Sequence, residues 1–287
     1  MSDDNYQSVV LKEEIKMETI RKKRWILPAF GIFAATAANT ILPGMGFLFL
    51  PPVLLICWYL ERFSRKEMGF VVGRADYYGL GLLHPMLVLS LLALVAWAAG
   101  ATNIQNPAWS TIALQFALAA LLTMLMTLVG EDGFFRGWLW ASLKHAGLNE
   151  QRVVLLTGIA FGIWHLPYGI LGTGYDPFSA ELPLYIINAS LIGVAWGLLR
   201  LISGSVVVAT VTHGIWNATA YVFFNNGAEI GVLGIQDIAT YGPEAGGIGL
   251  ALNLVYTIGL WLWYRRAESM RAVPEAGRPQ PELGASV

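Results

Sequence analysis

Three short motifs place reactive side chains inside otherwise apolar stretches: Glu131-Asp132-x-x-x-Arg136, Phe161-x-x-x-His165 and His213-x-x-x-Asn217. Polar and ionisable groups are costly in a bilayer interior. Where they persist they face one another or a water-filled cavity, and they mark functional sites. The residue types suit hydrolysis. Peptide cleavage needs a water made nucleophilic and a developing oxyanion stabilised. Glu131 is the candidate base. His165 and His213 are candidates to orient water, protonate the leaving amine or bind a metal. Asn217 offers an amide N–H to an oxyanion. Glu131, His165 and His213 also form a plausible zinc-type ligand set, although a Glu131 that ligates metal is less free to act as base. No HExxH is present, so the usual zincin arrangement is absent. Serine and cysteine mechanisms lack support: there is no GxSxG, and Cys57, the one cysteine, reads as a small apolar side chain.

The i, i+4 spacing inside each motif puts both members on one helix face. Asp132 and Arg136 are expected to pair structurally. Glu131 is then rotated about 100° away and faces a different neighbour. His213 and Asn217 share a face. Phe161 lies one turn before His165 and is expected, with Trp164, to wall the same cavity. Glu131, His165 and His213 each stand 13 residues from a basic residue, namely Lys144, Arg152 and Arg200. On continuous helices that is roughly 20 Å, so the three groups are expected at similar depth, with the basic side chains snorkelling at helix ends.

The elements that position them are membrane helices. The chain is 56% hydrophobic and only 13% charged, with a mean hydropathy of +0.56. A soluble domain carries about 25% charged residues. The expected fold is all-α: a polytopic membrane protein of about eight transmembrane helices enclosing an intramembrane polar cavity. The apolar segments read as 25–43, 45–60, 77–100, 109–130, 153–172, 182–201, 204–225 and 246–264. Pro51-Pro52 is expected to break or kink the second. The fourth is expected to run on past Gly130 into 131–144, through a helix extension or a kink at Gly130 or Gly133. Residues 1–24 read as a cytoplasmic leader that is either an interfacial helix or solvated, 25–265 as the membrane core, and 266–287 as a disordered cytoplasmic tail.

With these segments, all 18 lysines and arginines fall in the leader, the 61–76 loop, the 131–152 region, Arg200 and the tail. The positive-inside rule therefore places both termini in the cytoplasm of a multi-pass cell-membrane protein. His84 and His145 lack companion motifs and read as structural and interfacial. Trp138, Trp140, Trp164, Trp196 and Trp216 read mostly as packing or interface anchors, with Trp164 and Trp216 adjacent to motif residues.

At these residues the chain resembles the CPBP intramembrane protease family, which contains the type II CAAX-prenyl endopeptidases and bacteriocin-processing or abortive-infection relatives. The family pattern is Glu-Glu-x-x-x-Arg, Phe-x-x-x-His and His-x-x-x-Asn/Asp on an eight-helix core. The matching stretches here are Glu131-Asp132-Gly133-Phe134-Phe135-Arg136, Phe161-Gly162-Ile163-Trp164-His165 and His213-Gly214-Ile215-Trp216-Asn217. The resemblance implies an intramembrane endopeptidase with Glu131 as the water-activating carboxylate, His165 as the second catalytic member, and His213 with Asn217 holding water or oxyanion. It implies a membrane-embedded or lipid-anchored peptide substrate in the bilayer and no nucleic-acid partner. It leaves the cofactor open between a divalent metal such as zinc and none. Position 132 is Asp where the family usually has Glu. Two other readings stand beside this one: a non-catalytic immunity or scaffold protein of the same fold, and a proton-coupled transporter.

Overall fold

The computed structural model describes residues 24–41, 46–104, 108–171, 181–224 and 230–272. Over these residues the chain is helical, without a strand. In chain order the elements are α1 (Ile26–Ile41), α2 (Gly46–Glu61), α3 (Ala75–Ala98), α4 (Trp109–Val129), a π-helical segment (Gly133–Leu139), α5 (Trp140–His145), α6 (Glu150–Leu171), α7 (Leu182–Ser203), α8 (Val206–Phe223), the single turn α9 (Ile238–Tyr241) and α10 (Gly247–Ala272).

Among the described residues, five helices are long and apolar enough to cross a membrane: α3, the continuous run Trp109–His145, α7, α8 and Gly247–Met270. The structure thus shows five such helices where about eight are expected. Helices α1 and α2 are apolar but only 16 residues each. Several apolar helices of this kind make a multi-pass membrane protein. Pro51 and Pro52 lie inside α2 without ending it. Both sit within its first two turns, where the carbonyls they would clash with are those of Phe47 and Leu48, near the helix start. Helix α10 runs through Ala272, so the expected tail boundary at 266 falls inside a helix. The leader up to residue 23 and the tail from 273 lie outside the described residues.

Helices α6 and α7 form the tightest pair, and α8 packs against α3, α4 and α7. Small residues let α6 and α7 approach closely, as expected where lipid supplies no hydrophobic drive between helices. A Cβ at Gly158 would come within 2.8 Å of the Val194 backbone N, and one at Gly162 within 2.9 Å of the Ile186 carbonyl. Gly158→Val is therefore expected to push the pair apart and cost about 1–3 kcal/mol. Denaturant titration in micelles would measure this, and an unchanged midpoint would show that the contact yields.

The hairpin from α7 to α8 is tight. Gly204 adopts φ +69°, a left-handed conformation suited to glycine, and its N–H closes α7 on the Arg200 carbonyl. Ser205 then caps α8 by accepting from the Val208 N–H. This turn lies between Arg200 and His213, so their 13-residue separation is not a rise along one axis. Arg200 therefore does not set the depth of His213 by residue count. Arg200 does not snorkel either. It is 6% exposed, donating from Nε to the Arg136 carbonyl (3.2 Å) and from NH2 to the Glu67 carbonyl (3.3 Å).

Candidate active site

Glu131 and Asp132 sit where the exterior helix α4 gives way to fully buried chain. Leu118, Leu121, Leu122, Leu125 and Val129 of α4 are exposed on the apolar exterior, whereas every residue from Gly133 to Leu139 is buried. The join is made at Gly130, whose ψ of −101° is not helical. Gly133 follows with no room for a side chain: a Cβ there would lie 2.4 Å from the Leu128 carbonyl. Beyond it the backbone is π-wound, a form frequent at functional sites. The expected continuation into 131–144 is present, through a break at Gly130 and a wider winding from Gly133.

This geometry aims the two acids at one imidazole. His213 Nδ1 lies 3.1 Å from Asp132 Oδ2, and its Nε2 lies 3.8 Å from Glu131 Oε2. The acids differ in access: the side chain of Asp132 is 0% exposed and that of Glu131 is 17% exposed. The first contact is a hydrogen bond that fixes the ring. The second is too long for one and leaves the Glu131 carboxylate able to engage a third group.

Asp132 also pairs with Arg136, Oδ1 to NH1 at 3.2 Å, with both side chains fully buried. The expected i, i+4 pair is therefore present, but Asp132 does more than neutralise an arginine: it orients His213 as well. The spacing within the motif carries no sign of this second contact, because the partner lies 81 residues away. The Arg136 guanidinium lies 4.1 Å from the Phe161 ring centroid and 5.4 Å from that of Trp196, and NH2 donates to the Gly193 carbonyl at 3.4 Å. Cation–π contact of this kind is strengthened by desolvation.

Phe161 consequently serves as a cover for Arg136 more than as an open wall. Its ring also meets those of His165 (4.5 Å) and His213 (6.0 Å). His165 Nδ1 lies 2.7 Å from the Phe161 carbonyl. In the neutral ring this makes Nδ1 the donor and leaves Nε2 as the acceptor nitrogen. The edges of Trp164 and Tyr185 meet His165 at 4.8 and 5.8 Å. Trp164 is buried, 6.0 Å from Phe135, and its carbonyl accepts from Asn39 Nδ2 at 2.8 Å. Asn217 is buried one turn beyond His213 on α8.

Glu131, Asp132, Arg136 and His213 are thus in direct contact, and His165 joins them through the Phe161 ring. The alternative metal set does not assemble: among the described residues no three His, Cys, Asp or Glu side chains group to hold an ion. The two His213 nitrogens are each turned to a different carboxylate. As arranged here, Glu131, His165 and His213 do not converge as a ligand set.

Trp196 is the residue that motif reading misses. Its indole stacks on His213 at 4.0 Å with 29° between planes, although it reads in sequence as one more tryptophan of an apolar span. No local signal distinguishes it from Trp138 or Trp140.

Residues 111–219, which contain all three motifs, match the family model described as type II CAAX prenyl endopeptidase Rce1-like. The match agrees with the resemblance to the CPBP proteases and supports a peptidase in general. No curated protein matches the chain.

Proposed function

We propose that the chain is an intramembrane endopeptidase that hydrolyses a peptide bond in a membrane-associated substrate, of CAAX type or a peptide precursor. The observation that carries this reading is the His213 ring held by buried Asp132 on one nitrogen and turned toward part-exposed Glu131 on the other. Glu131 takes a proton from water, and the resulting hydroxide attacks the scissile carbonyl. In its imidazolium form His213 donates Nδ1–H to Asp132 and Nε2–H toward the oxygen that becomes an oxyanion, beside the Asn217 amide. His165, with Nε2 as acceptor, holds the water. The Glu131 carboxyl then returns its proton to the departing amine, so the base is regenerated. Phe161 and Trp164 hold His165, and Arg136 holds Asp132. Both chain ends lie on the cytoplasmic side, following the distribution of basic residues.

The test compares protein termini in membranes from cells carrying wild type or Glu131→Gln at equal expression. A new terminus made only by the wild type is expected, and it identifies the substrate as well. Identical termini, with the biological effect retained by Glu131→Gln, would overturn the proteolytic reading in favour of a scaffold of the same fold.

A further inference from the structure

His84 lies on α3, outside every motif, yet it is fully buried at the centre of a polar chain that links four apolar helices, α3, α7, α8 and α10. Trp196 Nε1 donates to His84 Nδ1 at 3.1 Å. His84 Nε2 faces Asn253 Oδ1 at 2.9 Å. Asn253 Nδ2 donates to Asn188 Oδ1 at 3.0 Å. Asn188 Nδ2 in turn donates to the carbonyls of Pro243 and Glu244 at 3.0 and 2.9 Å. The Glu244 carboxylate closes the circuit by accepting from Trp216 Nε1 at 3.0 Å.

The direction of every bond is set from one end. An indole N–H can only donate, so His84 Nδ1 must accept. The proton of the neutral ring is then on Nε2, which donates to Asn253, and the orientation of both amides follows. Asn188 and Asn253 are likewise fully buried. Buried polar side chains commonly tie membrane helices together. This chain does more, because it ends on the ring that stacks against His213. The His84 ring also lies nearly parallel to that of Trp216, at 4.6 Å and 11°, on the helix that carries His213 and Asn217.

Resting on the proteolytic reading above, we propose that His84 is a positioning residue for the reaction: anchored by Asn253, Asn188 and the Pro243–Glu244 turn, it fixes the plane of Trp196 and through it the seat of His213. The network acts on turnover, since it ends on the ring stacked against His213.

His84→Phe keeps an aromatic face against Trp216 and removes both hydrogen bonds. With an internally quenched farnesylated CAAX peptide as probe, kcat is expected to fall roughly 10- to 100-fold, the scale for a small misplacement of a reacting group, while KM stays within about twofold. A second readout needs no turnover. The chain has four histidines, so histidine-selective labelling gives four ring signals that single substitutions assign. In His84→Phe the His213 signal is expected to leave its wild-type position and the His145 signal to stay. Trp196→Phe, which keeps a ring on His213 but cuts the bond to His84, covers the case of poor folding. It should lower kcat by itself, and in combination with His84→Phe the losses should be less than additive. An unmoved His213 signal with unchanged kcat in either folded variant overturns the proposal, as do fully additive losses. Since the His213 signal is read without cleavage, a wild type inert toward the peptide counts against the proteolytic reading and not against the network.

Discussion

Glu131→Gln is expected to lower cleavage by about 10²- to 10⁴-fold, the usual contribution of a positioned proton-transfer group, while the protein folds and accumulates as wild type. The separation of the two effects follows from the contacts. Among the described residues Glu131 makes no hydrogen bond and one ion-pair contact, to His213 at 3.8 Å, and its side chain is part-exposed. Glutamine fills nearly the same volume and puts no unpaired charge in the core. It cannot accept a proton from water. Purified protein in micelles, assayed for cleavage and for denaturant midpoint, reports both. Full activity would remove Glu131 from the role of base. A large drop in midpoint would make it a structural acid.

Arg136→Met is expected to have the opposite profile and to destabilise the fold by about 3–5 kcal/mol, the cost of leaving one member of a buried ion pair uncompensated. Arg136 and Asp132 face each other with no exposure of either side chain, and the guanidinium also fills the space between Phe161 and Trp196. Replacing both members should undo much of this: Arg136→Met with Asp132→Leu is expected to regain most of the lost stability, since paired apolar substitutes are tolerated where single removals are not. Activity should not return, because Asp132 also seats His213. Denaturant titration of the two single variants and the double variant forms the cycle. Additive losses would show that the pair is not coupled. Restored cleavage in the double variant would show that His213 needs no buried acid.

The contrast between these acids marks where sequence reasoning stops. Helical periodicity and spacing suffice for the Asp132–Arg136 pair and for the shared face of His213 and Asn217, because both are local to one helix. The helix limits follow from apolar runs, so most segments are legible to within a few residues. The meeting of Asp132 with His213, of Trp196 with His213, and of His84 with Trp196 depends on which faces of separate helices oppose one another. Composition of an apolar span does not encode that. Arg200 and His213 do not mark equal depth by residue count, because the turn that the segments 182–201 and 204–225 already require lies between them. Likewise the set Glu131, His165 and His213 has the donor types for zinc, but packing sets His213 between Glu131 and Asp132 and turns His165 Nδ1 to the Phe161 carbonyl.

The π-wound segment from Gly133 to Leu139 works as a phase shifter. A π turn takes up more residues than the 3.6 of an α turn, and each residue in an α-helix advances the azimuth by about 100°. Upstream of the segment the helix presents leucines to the exterior; from the segment onward it presents aromatics to the interior; the acids sit at the node between the two phases. If residues 133–139 rewound as an ordinary α-helix, each would advance by about 100° and not by the smaller step of a π turn, and everything on one side of the node would rotate relative to the other. The winding of this helix is therefore a setting in its own right: the site can be silenced, or re-aimed, by a change of winding that substitutes none of its residues.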